Sequence, residues 1–138
     1  MVHVFVFGTL KEGFPNFEIN RGARVHGTFR TRVRWPLYLV GERHSPWMLD
    51  TRGVGHQVRG QVFEVTDEVL AAMDRLERID EPDGYRRVRI EVLPEEGEGF
   101  EAHAYLIPAA LLTPELPRIG PLAEYTLEHA RLYRKRSA

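Results

Sequence analysis

Residues 86–107 constrain this chain most: "RRVRIEVL", a glycine-bearing "EEGEG" stretch, then "FEAHAYLI". Val88, Ile90 and Val92 share one face of the first run, with arginine or glutamate on the other. That two-residue period belongs to a half-buried strand. The second run returns after the turn, so the pair is a predicted antiparallel hairpin. Its apolar face must be covered by further strands or by helices.

Other runs supply that cover. Val2–Phe7 is continuously β-branched and aromatic and stops at Gly8, which predicts a strand buried on both faces. Ala23–Arg34, Trp35–Gly41 and Val58–Val65 read as further strands, with Pro36 at a strand start or edge. Residues 44–55, "HSPWMLDTRGVG", read as a loop holding one short apolar piece, Trp47–Leu49. A helix is expected over Thr66–Ile79, opened by a capping Thr66 or Asp67 and an acidic first turn. A second is expected after Gly120-Pro121, with Leu122, Tyr125, His129 and Leu132 on one stripe and a basic end suited to the helix dipole. Six or seven strands with one well-placed helix predict an α+β fold, a small closed or nearly closed sheet packed by helices. The expected organisation is a single domain over residues 1–138, with 115–138 a C-terminal helical appendage.

Composition removes several classes of function. The 138 residues are 43% hydrophobic, enough for a core, and the formal net charge of −1 argues against nucleic-acid or anionic-membrane partners. There is no cysteine, which excludes disulfides and thiolate chemistry and predicts a cytoplasmic protein. No signal peptide is visible, and no run approaches the roughly 20 apolar residues of a membrane helix. The six histidines lack metal-ligand spacing, so no metal is expected. Neither serine sits in a Gly-x-Ser-x-Gly elbow, and "GVGHQV" is no dinucleotide fingerprint.

Two features carry chemistry. With Val69 at 0° and about 100° per residue, Met73, Leu76 and Leu70 form an apolar arc, and Glu77 falls inside it near about 80°. A carboxylate on the core side of a helix is costly unless it is paired or opens into a cleft. Two readings follow: Glu77 pairs with Arg86 or Arg87 from the next strand, or burial raises its pKa and makes it a general base. The second feature is Phe7-Gly8-Thr9-Leu10. A strand leaving its sheet through glycine presents backbone N–H groups with no ladder partner, a site for a carboxylate or an oxyanion. It can equally be an ordinary strand end.

In order, "VFVFGTLKEGFPN", "PLYLVGERHSPWML", "VRGQVFEVTDEVLAAMDRLE" and "YRRVRIEV" resemble the gamma-glutamylcyclotransferase-like superfamily over roughly residues 2 to 107. The resemblance implies a small mixed β-barrel with flanking helices. The family's Tyr-Gly-Thr-Leu loop, which holds the glutamyl part of the substrate, corresponds to Phe7, Gly8, Thr9 and Leu10. Its catalytic glutamate, closing Leu-Asp-x-x-Glu, corresponds to Glu77 in Met73-Asp74-Arg75-Leu76-Glu77. Its Tyr-x-Arg corresponds to Tyr85-Arg86-Arg87, which places Tyr85 among the substrate-binding residues. Phe7 stands in place of the usual tyrosine, and Phe17 where a histidine often follows Asn16.

The reaction so implied is an intramolecular aminolysis of a small γ-glutamyl substrate. The α-amine attacks its own γ-carbonyl, leaving 5-oxoproline and a free amine, with Glu77 as general acid/base and no cofactor. The pocket for the leaving amine is expected along His44–Leu49 and the C-terminal segment. Two other readings stand beside it: a non-catalytic module that binds or senses a γ-glutamyl or carboxylate metabolite, and an interaction domain using Trp35, Tyr38 and Trp47. A carboxylate kept at Glu77 counts against a binder of anions.

Overall fold

The computed structural model describes residues 1–136; Ser137 and Ala138, the end of the expected appendage, lie outside the described residues. In chain order the elements are β1 (Val2–Val6), β2 (Ala23–Thr31), β3 (Leu37–Val40), β4 (Ser45–Met48), β5 (Arg59–Val65), α1 (Asp67–Leu76), β6 (Arg86–Pro94), β7 (Phe100–Leu106), β8 (Arg118–Leu122) and a one-turn α2 (Leu127–Ala130). Five strands close a barrel in the order β1-β5-β2-β6-β7, and β4-β3-β8 form a separate three-stranded sheet. The barrel is mixed because β1 and β7 run parallel, meeting at Val4 and His103. Its other neighbours are antiparallel, including the expected hairpin, in which Ile90 faces Ala102.

The apolar run of β1 is accounted for on both faces. Phe5 packs with Phe29, Val62, Ile90, Val92 and Ala102 in one core cluster. Val4 and Val6 pack with Phe63, Val65, Leu70 and Met73 in a second, beneath α1. The two-residue period therefore sends alternate side chains to two different cores, and β1 ends where both meet.

Two stretches differ from expectation. Residues 45–48, expected as part of a loop, form β4. Its Pro46 sits opposite Leu39 on an edge strand, where a missing N–H costs no ladder bond. The stretch from Pro121, expected to be helical, instead belongs to β8 and an extended arm. Leu122 pairs with Leu37 of β3, the Ala123 carbonyl accepts from the Arg59 N–H at 2.8 Å, and the Tyr125 carbonyl accepts from the Lys11 ammonium. Those backbone acceptors are engaged by strands and by Lys11, and helix follows only at Leu127–Ala130. Tyr125, on the expected helical stripe, is fully buried in the barrel core, while Leu132 of the same stripe is exposed.

Candidate active site

Thr66 starts α1, its hydroxyl accepting from the Val69 N–H at 3.2 Å. The helix ends in a Schellman arrangement, with the Arg78 N–H on the Arg75 carbonyl at 3.2 Å and the Ile79 N–H on the Asp74 carbonyl at 3.3 Å. Glu77 is therefore the C-cap, not an interior residue. Arg78 takes the left-handed position usually given to glycine, φ 54°, and pairs with Asp83 at 3.1 Å. Gly84 completes the reversal, since a Cβ there would lie 1.7 Å from the Arg78 carbonyl oxygen. The Tyr85 N–H then donates to the Glu77 carbonyl at 3.0 Å, so the two residues become neighbours.

The arginines weighed as partners for Glu77 are engaged elsewhere. Arg87 Nε lies 3.2 Å from Asp74, and Arg86 donates to the carbonyls of Ile79, Glu81, Gly84 and Tyr85. Among the described residues the Glu77 carboxyl has no ion-pair partner. Burial pushes its pKa up to about 8, opposed by the positive charge of Arg43. Glu77 is half-buried and lines a cavity. One helical turn earlier, Asp74 accepts from the Tyr105 hydroxyl at 2.7 Å, so the end of α1 is tied to β6 and β7.

The loop after β1 faces the same cavity. Its carbonyls are occupied: Gly8 accepts from the Lys11 N–H at 3.2 Å, Thr9 from the Asn16 N–H at 2.8 Å, and Leu10 from Asn20 Nδ2 at 3.0 Å. Asn16 Nδ2 also donates to the Thr9 hydroxyl at 2.8 Å. The N–H groups of Gly8, Thr9 and Leu10, by contrast, meet no protein acceptor among the described residues. That leaves three successive donors lining a cavity, an arrangement suited to an anion.

The β3–β4 hairpin forms the facing wall. Pro46 packs so tightly on the loop that a Cβ at Gly8 would lie 2.8 Å from its Cγ. The Tyr85 hydroxyl donates to the Pro46 carbonyl at 2.6 Å, and burial, with Glu77 nearby, raises its pKa well above the ordinary value. The cavity has a volume of about 820 Å³, with Phe5, Val6, Phe7 and Ile107 among its apolar lining residues. A cavity of this size is ample for a small ligand and larger than a glutamyl group alone needs.

All six residues singled out from the sequence, Glu77, Phe7, Gly8, Thr9, Leu10 and Tyr85, line this one cavity. Of the segment expected around the leaving amine, Ser45, Pro46 and Trp47 line it, as do Tyr133 and Lys135 near the C-terminus. Phe17 does not; its ring packs 6.0 Å from that of Phe63. Asn16, Arg43 and Tyr133 were not identified as site residues from the sequence. Arg43 and Tyr133 come together only through contacts spanning most of the chain, and only the polarity of Asn16 beside the loop could have marked it.

A family model described as gamma-glutamyl cyclotransferase, AIG2-like, matches residues 4–127. The chain is 39% identical over 106 residues to the gamma-glutamylaminecyclotransferase of Mus musculus, covering 72% of this chain and 70% of that protein. It is 38% identical over 108 residues to the protein of that name from Homo sapiens, covering 73% and 69% respectively. The crystal structure of an AIG2-like protein from Mus musculus superposes with a TM-score of 0.82 at 32% identity, covering 100% of this chain and 98% of that one.

Proposed function

The chain belongs to the gamma-glutamyl cyclotransferase, AIG2-like family and is an enzyme of that kind, and we propose that Glu77 carries the proton in its reaction. The substrate is a small γ-glutamyl amine or peptide, folded so that its α-amine reaches its own γ-carbonyl. The observation that supports this most directly is the unpaired Glu77 carboxyl in a cavity whose other wall offers three free N–H donors.

The steps balance without any outside reagent. The Glu77 carboxylate takes a proton from the α-ammonium, and the freed amine attacks the γ-carbonyl carbon. Negative charge develops on the carbonyl oxygen, and the bond to the leaving nitrogen then breaks. The protonated Glu77 gives its proton to that nitrogen, takes the surplus proton from the ring nitrogen, and passes this second proton to the departing amine. 5-Oxoproline and an ammonium are released, and Glu77 is again a carboxylate. A pKa near 8 suits both directions, because it lies close to that of an α-ammonium and a base and an acid are needed in turn. The Gly8, Thr9 and Leu10 amides hold the α-carboxylate or the developing oxyanion. Ring closure within one molecule gains from proximity, so the cavity's main task is to hold the glutamyl chain bent.

Tyr85 holds the Pro46 carbonyl with its hydroxyl and presents its ring to the substrate. Phe7 contributes an apolar wall and the backbone of the loop, neither of which needs the family tyrosine's hydroxyl. The test is a panel of γ-glutamyl compounds with 5-oxoproline and free amine quantified by mass spectrometry. Equimolar release of both is expected. Binding of γ-glutamyl compounds with no 5-oxoproline would instead identify a sensing module.

A further inference from the structure

The basic groups on the cavity wall are not equivalent. Arg78 and Lys135 are matched by acids, Asp83 at 3.1 Å and Glu18 at 3.5 Å. Arg43, Arg75 and Arg136 also line the cavity and have no acidic partner among the described residues, and of these three only Arg43 has its guanidinium fixed by hydrogen bonds.

Arg43 is nonetheless held firmly. Its backbone carbonyl accepts from the Arg134 N–H at 3.0 Å, and its Nε donates to the Arg134 carbonyl at 3.0 Å. One terminal nitrogen donates to the Tyr133 hydroxyl at 3.3 Å, and the guanidinium stands 5.7 Å from the Tyr133 ring centre. The Tyr133 hydroxyl in turn accepts from Asn16 Nδ2 at 3.2 Å. Every partner is neutral, and the other terminal nitrogen has no hydrogen-bond partner among the described residues. A half-buried guanidinium fixed along one edge, with unused N–H groups on the other, is a prepared seat for a carboxylate.

Where the free amides of Gly8–Leu10 hold the glutamyl carboxylate, Arg43 is left for a second anionic group. Arg43 lines the same cavity beside the exposed C-terminal arm, close enough to Glu77 for its charge to be felt there. We propose that Arg43 is a specificity-determining residue that receives a carboxylate on the leaving amine. This rests on the cyclisation reading above. It makes amino-acid and peptide leaving groups the preferred class and places polyamine leaving groups at a disadvantage beside a fixed positive charge.

The test compares two substrates that differ by one carboxylate, Nε-(γ-glutamyl)lysine and γ-glutamylcadaverine. The wild-type enzyme is expected to favour the lysine compound by about tenfold or more in kcat/KM, the value of one well-formed charged hydrogen-bonded contact. In Arg43→Gln the preference should collapse to within about threefold. Any effect of Arg43 on Glu77 acts on both substrates alike and cancels in the ratio. Arg43→Lys, which keeps the charge without the planar fork, should retain part of the preference and serves as a second variant if Arg43→Gln fails to fold. Equal or reversed preference in the wild type, or equal slowing of both substrates in Arg43→Gln, overturns the assignment while leaving the cyclotransferase reading intact. No 5-oxoproline from either substrate overturns both.

Discussion

The Tyr85 hydroxyl donates to the Pro46 carbonyl at 2.6 Å, while the Pro46 ring occupies the space a side chain at Gly8 would need. One contact path thus runs from the turn that carries Glu77, through Tyr85, to the hairpin and on to the donor loop. Glu77 and the unpartnered amides of Gly8–Leu10 come from the end of α1 and from the loop after β1. They are held in register by two residues that need not take part in proton transfer.

Tyr85→Phe tests the first link of that path. It keeps the ring and removes one hydrogen bond, leaving a buried carbonyl without its donor. A loss of about 1–2 kcal/mol in stability is expected. Loosening of the hairpin should lower kcat/KM by about tenfold or more, since small misplacements in a site are amplified in rate. Thermal melts and steady-state rates on the same preparation check both.

Gly8→Ala tests the second. The added methyl would stand 2.8 Å from Pro46 Cγ, so either the hairpin or the loop must move. Overpacking of this kind costs about 1–3 kcal/mol. Activity should fall further than stability implies, because the displaced atoms belong to the N–H donors themselves. Substrate KM measured with a folded Gly8→Ala protein should rise, whereas a purely structural glycine would leave it near the wild-type value.

Glu77 makes a prediction about stability that runs opposite to its effect on rate. In the folded protein its carboxyl titrates near 8, against an ordinary value of 4.5. Between those values the folded state keeps a proton that the unfolded chain has lost. Stability from this group is therefore greatest below about pH 4.5 and falls as pH rises to about 8, where the loss levels off. Glu77→Gln removes the burden, and the variant should be more stable at pH 7 by on the order of 1 kcal/mol, a figure reduced from the full shift because the carboxyl borders a cavity. The stability difference between variant and wild type should shrink at pH 5. Denaturant melts across pH 5–8 measure it.

Much of this was legible in the residues themselves. Strict alternation in Arg86–Leu93 and the two-faced run of β1 reported backbone geometry directly, because a two-residue period has one structural meaning. Glu77 could be found because a carboxylate among Val69, Met73 and Leu76 violates the helix's own pattern. Its suspected partners could not be judged, since Arg86 is taken up by local carbonyls and Arg87 by Asp74, contacts fixed only by the Gly84 reversal. β4 was hidden by Pro46, which local preference excludes from strands but an edge tolerates. Helical spacing in the C-terminal arm gave way to long-range pairing with β3, Arg59 and Lys11. Arg43 and Tyr133 carry no local signal at all; their meaning arises where a hairpin tip meets an arm ninety residues later.

The central claim is that Glu77 moves the proton. The most direct measurement is 5-oxoproline release from a γ-glutamyl amine by wild type and Glu77→Gln, at saturating substrate and pH 8, with folding and substrate binding of the variant verified. Loss of about a hundredfold to ten-thousandfold in kcat, with binding retained, is the expected result for removal of a general acid/base. A Glu77→Gln enzyme within about tenfold of wild type would contradict the account and move the proton to another group.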